Sequence, residues 1–297
     1  MPEVSVIIPC YNQGQFVDEA VESVLAQTFS DFEIIIVNDG STDEETNRIL
    51  KTYDKPQTIV LQTRNHGLGG ARNNGIRAAQ GKYILPLDAD DRIGNTYLEQ
   101  AVKVLEAQDN IGIVYCEAEF FGDRTGKWEL PPYNFPDILL GNIIFCSAFF
   151  RKSDWEKTEG YENDLSGWED YDFWLSIIEL GRDVYRIPTI LFYYRQRAES
   201  MIKSMSWQQQ ISAYARIMKN HSQLYADNAE FMAEHMLTLR TKEAQAESLI
   251  RGLEETIADM RRSRFWKLRE RCRKLIKPFR AARESDLQMN SQGVSVK

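Results

Sequence analysis

Glu33-Ile34-Ile35-Ile36-Val37-Asn38-Asp39-Gly40-Ser41-Thr42-Asp43 is an apolar run that turns polar within one residue. Four consecutive apolar residues suit a strand covered on both faces, and Asn-Asp-Gly-Ser is turn chemistry. The same switch occurs where Val4-Ser5-Val6-Ile7-Ile8 gives way to Pro9-Cys10-Tyr11-Asn12, and where Tyr83-Ile84-Leu85 leads into Asp88-Ala89-Asp90-Asp91. Thr58-Ile59-Val60-Leu61 and Ile111-Gly112-Ile113-Val114-Tyr115 are further short apolar runs. Between the runs lie stretches with helical spacing, Phe16, Ala20, Val21, Val24 and Leu25 in one and Tyr97, Leu98, Ala101, Val102 and Leu105 in another. This alternation predicts a mostly parallel central sheet in a three-layer α/β domain. Ligands of such sheets bind beyond the carboxyl ends of the strands, so the three polar exits should converge on one rim.

Gly167-Trp168-Glu169-Asp170-Tyr171-Asp172 opens a further helical pattern through Phe173, Leu175, Ile177, Ile178 and Leu180, which Gly181 stops. Beyond about Ser204 strand signals cease. Trp207, Ile211, Tyr214, Ile217, Met218, His221, Leu224 and Tyr225 form a helical stripe. Leu239, Ala246, Leu253 and Met260 then recur every seven residues, interrupted by Gly252, which counts against a coiled coil.

The net charge of −8 over 297 residues argues against a nucleic-acid binder. The average hides a split: Arg261 to Arg283 holds eleven basic residues and one acid, a segment charge of +10, which leaves −18 for the rest. Cys10, Cys116, Cys146 and Cys272 show neither a disulfide framework nor zinc spacing, which suits a reducing compartment. No run approaches the length of a membrane span, and Met1-Pro2-Glu3 lacks the basic start of a secretory signal, so the expected location is the cytoplasm.

Three carboxylates at one strand end, Asp88, Asp90 and Asp91, repel one another unless a cation sits among them, and a hard divalent ion shared with a diphosphate would relieve this. A solvated acidic turn is the alternative. Asp39 can accept from a nucleobase ring N–H, with Tyr11 stacking on the base, or it can belong to a plain Asp-Gly turn. Gly67-Leu68-Gly69-Gly70-Ala71-Arg72 fits neither GxGxxG nor the P-loop pattern, which leaves close backbone approach and an arginine able to meet either phosphate or the rim carboxylates. Asp170, beside Trp168 and Glu169, is a candidate general base, or one of several acids favoured at a helix start. His66, His221 and His235 have no metal-ligand spacing and read as surface or packing residues.

In this order the clusters resemble the inverting family 2 glycosyltransferases of the GT-A fold. The matching elements are Val6-Ile7-Ile8-Pro9-Cys10-Tyr11-Asn12, Ser23-Val24-Leu25-Ala26-Gln27-Thr28, Val37 to Asp43, Ala71-Arg72-Asn73, Leu87-Asp88-Ala89-Asp90-Asp91 and Glu169-Asp170-Tyr171-Asp172, covering roughly residues 3 to 200. The resemblance implies nucleotide contacts from Pro9, Tyr11, Asn12, Asp39, Arg72 and Asp88, with uracil the usual base. It implies a DxD pair, Asp88 and Asp90, holding Mn²⁺ or Mg²⁺. It also implies Asp170 as catalytic base, with Trp168, Glu169, Asp91, Arg195 and Arg197 facing the acceptor or the diphosphate. One departure stands out: relatives often carry Tyr-Arg-x-His after the last strand, whereas Tyr194-Arg195-Gln196-Arg197 puts an arginine in place of that histidine. Arginine can grip a diphosphate but cannot ligate an ion.

The expected organisation is a GT-A domain over 1–205, a helical extension over 206–260 acting as spacer or homodimer contact, a basic amphipathic helix over 261–284, and a frayed tail over 285–297. The basic helix carries Phe265, Trp266, Leu268, Leu275, Ile276 and Phe279, and suits an anionic membrane surface or, alternatively, the acidic domain of its own chain. The expected activity is metal-dependent sugar transfer from a nucleoside-diphosphate donor, UDP-sugar foremost, to a glycan or lipid-linked hydroxyl at the inner membrane face. A nucleotidyltransferase and a non-catalytic nucleotide-sugar scaffold are the competing readings. Glu117, Glu119, Trp128, Asn142 and Ser147 are the expected neighbours of the sugar.

Overall fold

The computed structural model describes residues 1–165, 167–197, 205–263, 266 and 268. Its strands are β1 (Val4–Cys10), β2 (Phe32–Asp39), β3 (Thr58–Thr63), β4 (Tyr83–Pro86), β5 (Arg92–Ile93), β6 (Ile111–Gly122), β7 (Gly126–Trp128), β8 (Phe149–Arg151) and β9 (Asp183–Gln196). Its helices are α1 (Gly14–Leu25), α2 (Glu44–Lys51), α3 (Gly67–Ala78), α4 (Tyr97–Ala107), α5 (Lys152–Trp155), α6 (Glu169–Glu179), α7 (Trp207–Asn220), α8 (Ser222–Asp227) and α9 (Ala229–Arg262), with a 3-10 turn at Asp137–Leu140.

The described strands form one sheet in the order β3-β2-β1-β4-β8-β6-β9-β5, with β7 beside β6. β1 to β4 are parallel to one another, as the apolar runs imply, and β6 pairs parallel with β9. β5, β7 and β8 are antiparallel insertions, so the sheet is mixed. These three have only two or three residues each, too short for any periodicity to mark them in the sequence. Chain direction along the sheet reverses at β1: β2 follows on one side and β4 lies on the other, which opens a crevice at their carboxyl ends.

Close packing of helix on sheet sets the depth of that crevice. α1 buries Val17, Ala20, Val21 and Val24, and its Phe16 turns outward toward β9. α3 descends on β1 and β2 at Gly75, where a Cβ would lie 2.4 Å from the Ile7 side chain, so only glycine permits this approach. Gly40 leaves β2 at φ +67° with its α-carbon against the Asn65 backbone, which turns the chain tightly after Asp39.

One compact unit spans Met1–Ala229, and a second begins at Glu230. The expected boundary at 205 falls within this first unit, to which α7 and α8 are anchored. The Tyr214 and Tyr225 hydroxyls donate to the Leu139 carbonyl at 2.6 and 3.1 Å, and buried His221 bonds Glu179 at 2.9 Å and lies 3.3 Å from Asp172. His221 is thus a packing residue, tying α8 to the helix that carries Asp170. The expected basic helix over 261–284 lies outside the described residues apart from its first positions, and the tail over 285–297 lies wholly outside them. Among the described residues no helix is long and apolar enough to cross a membrane.

Candidate active site

At the crevice lies a cavity of about 810 Å³. Its wall includes Pro9 and Tyr11 after β1, Asp39 at the end of β2, Arg72 on α3, and Asp88 and Asp90 after β4. Trp168, Glu169 and Asp170 at the start of α6 complete it with Arg195 and Arg197 from the end of β9. The three strand exits therefore do share one rim. Asn12 and Asp91 are not on the wall.

Asp39 is 3% exposed, and its carboxylate accepts the His66 backbone N–H at 3.0 Å and the Thr63 hydroxyl at 3.1 Å. The β3–α3 loop thus fixes its orientation. Tyr11, on the same cavity wall, is 45% exposed. Asn12 sits at φ +54° and holds the next loop: its side-chain oxygen accepts from the Thr42 and Asp43 backbone N–H groups at 2.8 and 2.9 Å. Asp43 in turn caps α2 through Thr46 N–H at 2.7 Å.

Arg72 is the buried centre of the site. It is 1% exposed, donates to Asp88 and to Glu169 at 2.7 Å each, and lies over the Tyr161 ring at 5.4 Å. Burial opposes its charge, but the Asp88 and Glu169 carboxylates outweigh that and hold the guanidinium firmly protonated. Of the two readings open in the sequence, its guanidinium meets the carboxylates. Glu169 is 3% exposed and also accepts the Gly167 N–H at 2.6 Å, so both its oxygens are engaged.

Asp90 meets Arg197 at 2.6 Å. Burial and neighbouring Asp88 push its carboxyl up, against the pull of Arg197. Asp91 is 1% exposed and accepts the Arg195 backbone N–H at 2.8 Å; its other oxygen is buried without a hydrogen-bond partner. Burial, Asp88 and Asp90 raise its carboxyl well above the usual range. Arg195 donates to the Asp90 carbonyl at 2.8 Å, pairs with Glu19, and stacks over Phe121 at 4.3 Å. Its guanidinium thus braces the acidic turn.

This donor set fits a hard divalent cation: the Asp88 and Asp91 carboxylates converge, one Asp91 oxygen is orphaned, and the carboxylates of the site outnumber its fixed cations. Asp88, Asp91 and Cys146 bring one ligand atom each to within 4.8 Å of one another. Burial and Asp88 hold the Cys146 thiol protonated, so the carboxylates are the better donors.

Asp170 is half-buried. One oxygen accepts from Tyr171 N–H at 2.8 Å and the other from the Asn142 side chain at 3.1 Å. Burial and the adjacent Glu169 charge push its carboxyl up to about 7, with Arg72 pulling the other way. A carboxyl tuned to that range can take a proton near neutral pH. Trp168 precedes it at the start of α6, and Trp168, Tyr214, Trp128, Phe145 and Tyr194 give the cavity an aromatic lining opposite the strand ends of β1 and β2.

Of the expected sugar neighbours, Trp128 and Asn142 line the cavity. Glu117 is instead paired with Lys127 at 2.9 Å, and Ser147 is fully buried. Cys146, Phe145, Tyr161 and Tyr214 belong to the site without any local signal in the sequence, since each reaches it only through tertiary packing.

Residues 5–158 match the family described as Glycosyl transferase family 2. The chain is 34% identical over 188 residues to chondroitin synthase of Escherichia coli, a match over 61% of this chain and 27% of that protein. It is 33% identical to an uncharacterized glycosyltransferase of Rickettsia prowazekii, over 68% of this chain and 64% of the other. It is 31% identical to one of Methanocaldococcus jannaschii, over 65% and 71%. The chain thus spans less than two thirds of the length of the first two relatives. Among solved structures, S. aureus TarS 1-349 in complex with UDP-GlcNAc superposes with a TM-score of 0.61 at 21% identity, covering 74% of this chain and 66% of that one. The fold is shared with that enzyme, and on the match across its first half this chain belongs to glycosyl transferase family 2.

Proposed function

We infer that the protein is an inverting, metal-dependent transferase that moves a sugar from a nucleoside-diphosphate donor, UDP-sugar foremost, to a hydroxyl of a glycan or lipid-linked acceptor. The observation that carries this is Asp170. It stands on the same cavity as Asp39, Asp88 and Asp90, but on the opposite element, with its carboxyl near 7.

Asp39 accepts from the base ring N–H while Tyr11 stacks on the base. The UDP-GlcNAc and UDP complexes of TarS support uracil as that base. Asp88 and Asp90 would hold the cation, with Asp91, whose carboxylate converges on Asp88, as a further donor. A divalent ion, when bound, neutralises the diphosphate as it departs. Arg197 adds a fixed positive charge to the same region. Asn142 orients Asp170, which removes the acceptor O–H proton as the acceptor oxygen bonds the anomeric carbon. The bond from that carbon to the diphosphate breaks, and its electron pair leaves with the nucleotide. Attack from the face opposite the leaving group inverts the configuration, so an α-linked donor gives a β-linkage. Trp168 and the aromatic wall receive the acceptor.

Calorimetric titration with UDP, dTDP, GDP and CDP, with and without Mn²⁺, tests the donor side; selective, metal-dependent uridine or thymidine nucleotide binding is expected. Asp170→Asn tests the chemistry: transfer should fall by about 10² to 10⁴ with nucleotide binding kept. Retained transfer would overturn the base assignment. Consumption of a nucleoside triphosphate with pyrophosphate release would make the protein a nucleotidyltransferase, and binding without turnover of any donor a scaffold. The basic segment over 261–284 would hold the enzyme peripherally at the cytoplasmic membrane face. Truncation after Asp259 should abolish sedimentation with anionic liposomes, and unchanged sedimentation would refute that role.

A further inference from the structure

α9 runs unbroken from Ala229 to Arg262, and none of its residues is buried. Gly252, which counts against a coiled coil in the sequence, does not break it. A Cβ at that position would meet nothing within 4 Å, so the glycine costs only the roughly 1 kcal/mol of lost helix propensity. From Met236 onward the spacing alternates between three and four residues: Met236, Leu239, Glu243, Ala246, Ile250, Leu253, Ile257, Met260. The six large apolar residues of this series are each 47 to 56% exposed. Assigned as a and d positions they form a seam along some 25 residues, with Gly252 at an outer c position.

We propose that the chain dimerises through α9 as a parallel, in-register two-stranded coiled coil over residues 236–260. A second copy carries the same seam, so a two-fold pairing covers both at once. Isoleucine at the a positions 250 and 257, with leucine at d positions 239 and 253, selects two strands. One charge pair fits this arrangement. Lys242 at g faces the partner's Glu247 at e only when the helices run parallel and in register. Glu243, the acid within the seam, then faces the partner's Glu243 across an a layer, with Lys242 of each chain beside it at g to offset the repulsion. The proposal is independent of the transferase reading, because no cavity residue takes part.

Light scattering on the full-length protein should give twice the 34.4 kDa chain mass. The double variant Ile250→Asp, Leu253→Asp should give the single-chain mass with nucleotide binding and the thermal midpoint of the first unit unchanged. In a Cys272→Ser background, Leu253→Cys should link two chains in a glutathione redox buffer. A monomeric wild type, or a double variant that stays dimeric, overturns the interface. A Leu239→Cys, Ile257→Cys protein that cross-links between chains while Leu253→Cys does not makes the pair antiparallel and overturns the parallel arrangement. A monomer whose binding to phosphatidylglycerol vesicles is lost in the double Asp variant assigns the seam to lipid and also overturns the dimer.

Discussion

The two walls of the cavity are built by different physics. The wall at the ends of β1, β2 and β4 is polar and pinned: Asp39 by the His66 N–H, Asp88 by Arg72, Asp90 by Arg197. The far wall is rings, with Trp128 stacked on Phe120 at 5.1 Å and Trp168 edge-on to Tyr214 at 6.2 Å. A pinned carboxylate can discriminate one donor pattern from another, whereas a ring face sets shape and tolerates sliding. On the proposed function the first wall would bind the constant nucleotide and the second the variable glycan.

The comparison breaks most easily at Arg72, which holds the two walls together. Arg72→Met leaves Asp88 and Glu169 with uncompensated buried charge, and the expected loss is about 3–5 kcal/mol of unfolding free energy, read by urea denaturation. A loss under 1 kcal/mol would show that the ion pairs are not what joins α3 to α6.

Asp39→Asn should weaken nucleotide binding about ten- to a hundredfold, the scale of a hydrogen bond to a charged acceptor, with acceptor KM unchanged. Trp168→Leu should do the reverse, raising acceptor KM roughly three- to tenfold with nucleotide Kd intact. If both variants move both constants, the walls are not separable.

The smallest expected effect is on pH. Asp170 must be ionised to accept a proton, so kcat should rise through a limb near pH 7 and fall off below it. Asn142→Ala removes a donor to the charged form and should move that limb upward by a fraction of a pH unit. An unmoved limb would detach Asn142 from the base.

The polar wall was legible in the sequence because its chemistry is local: Asp39 and Asp88 each follow an apolar run within a few residues, and the rule for parallel sheets says where those ends meet. What each side chain does there was less legible. Arg72 finds its partners 16 and 97 residues away, and neither is implied by a glycine-rich loop. Asn12 and Asp91 sit in the motifs and yet hold loops together away from the cavity wall. The aromatic wall was nearly invisible, since Phe145, Tyr194 and Tyr214 reach it from a loop, an edge-adjacent strand and a late helix. The seven-residue repeat of α9 was visible. Gly252 counts against a coiled coil, yet the helix continues through it with open space around that position.

The pairing of β5 with β9 joins Ile93 to Phe192, and just beyond it the Asp90–Asp91 turn receives Arg195 and Arg197. On the ribosome the acidic turn emerges about a hundred residues before these arginines, so its charges lack their partners through much of synthesis. The active site accordingly cannot form while the nascent chain is short. On the proposed function turnover would begin only once β9 has docked, which ties the onset of activity to near-completion of the first unit.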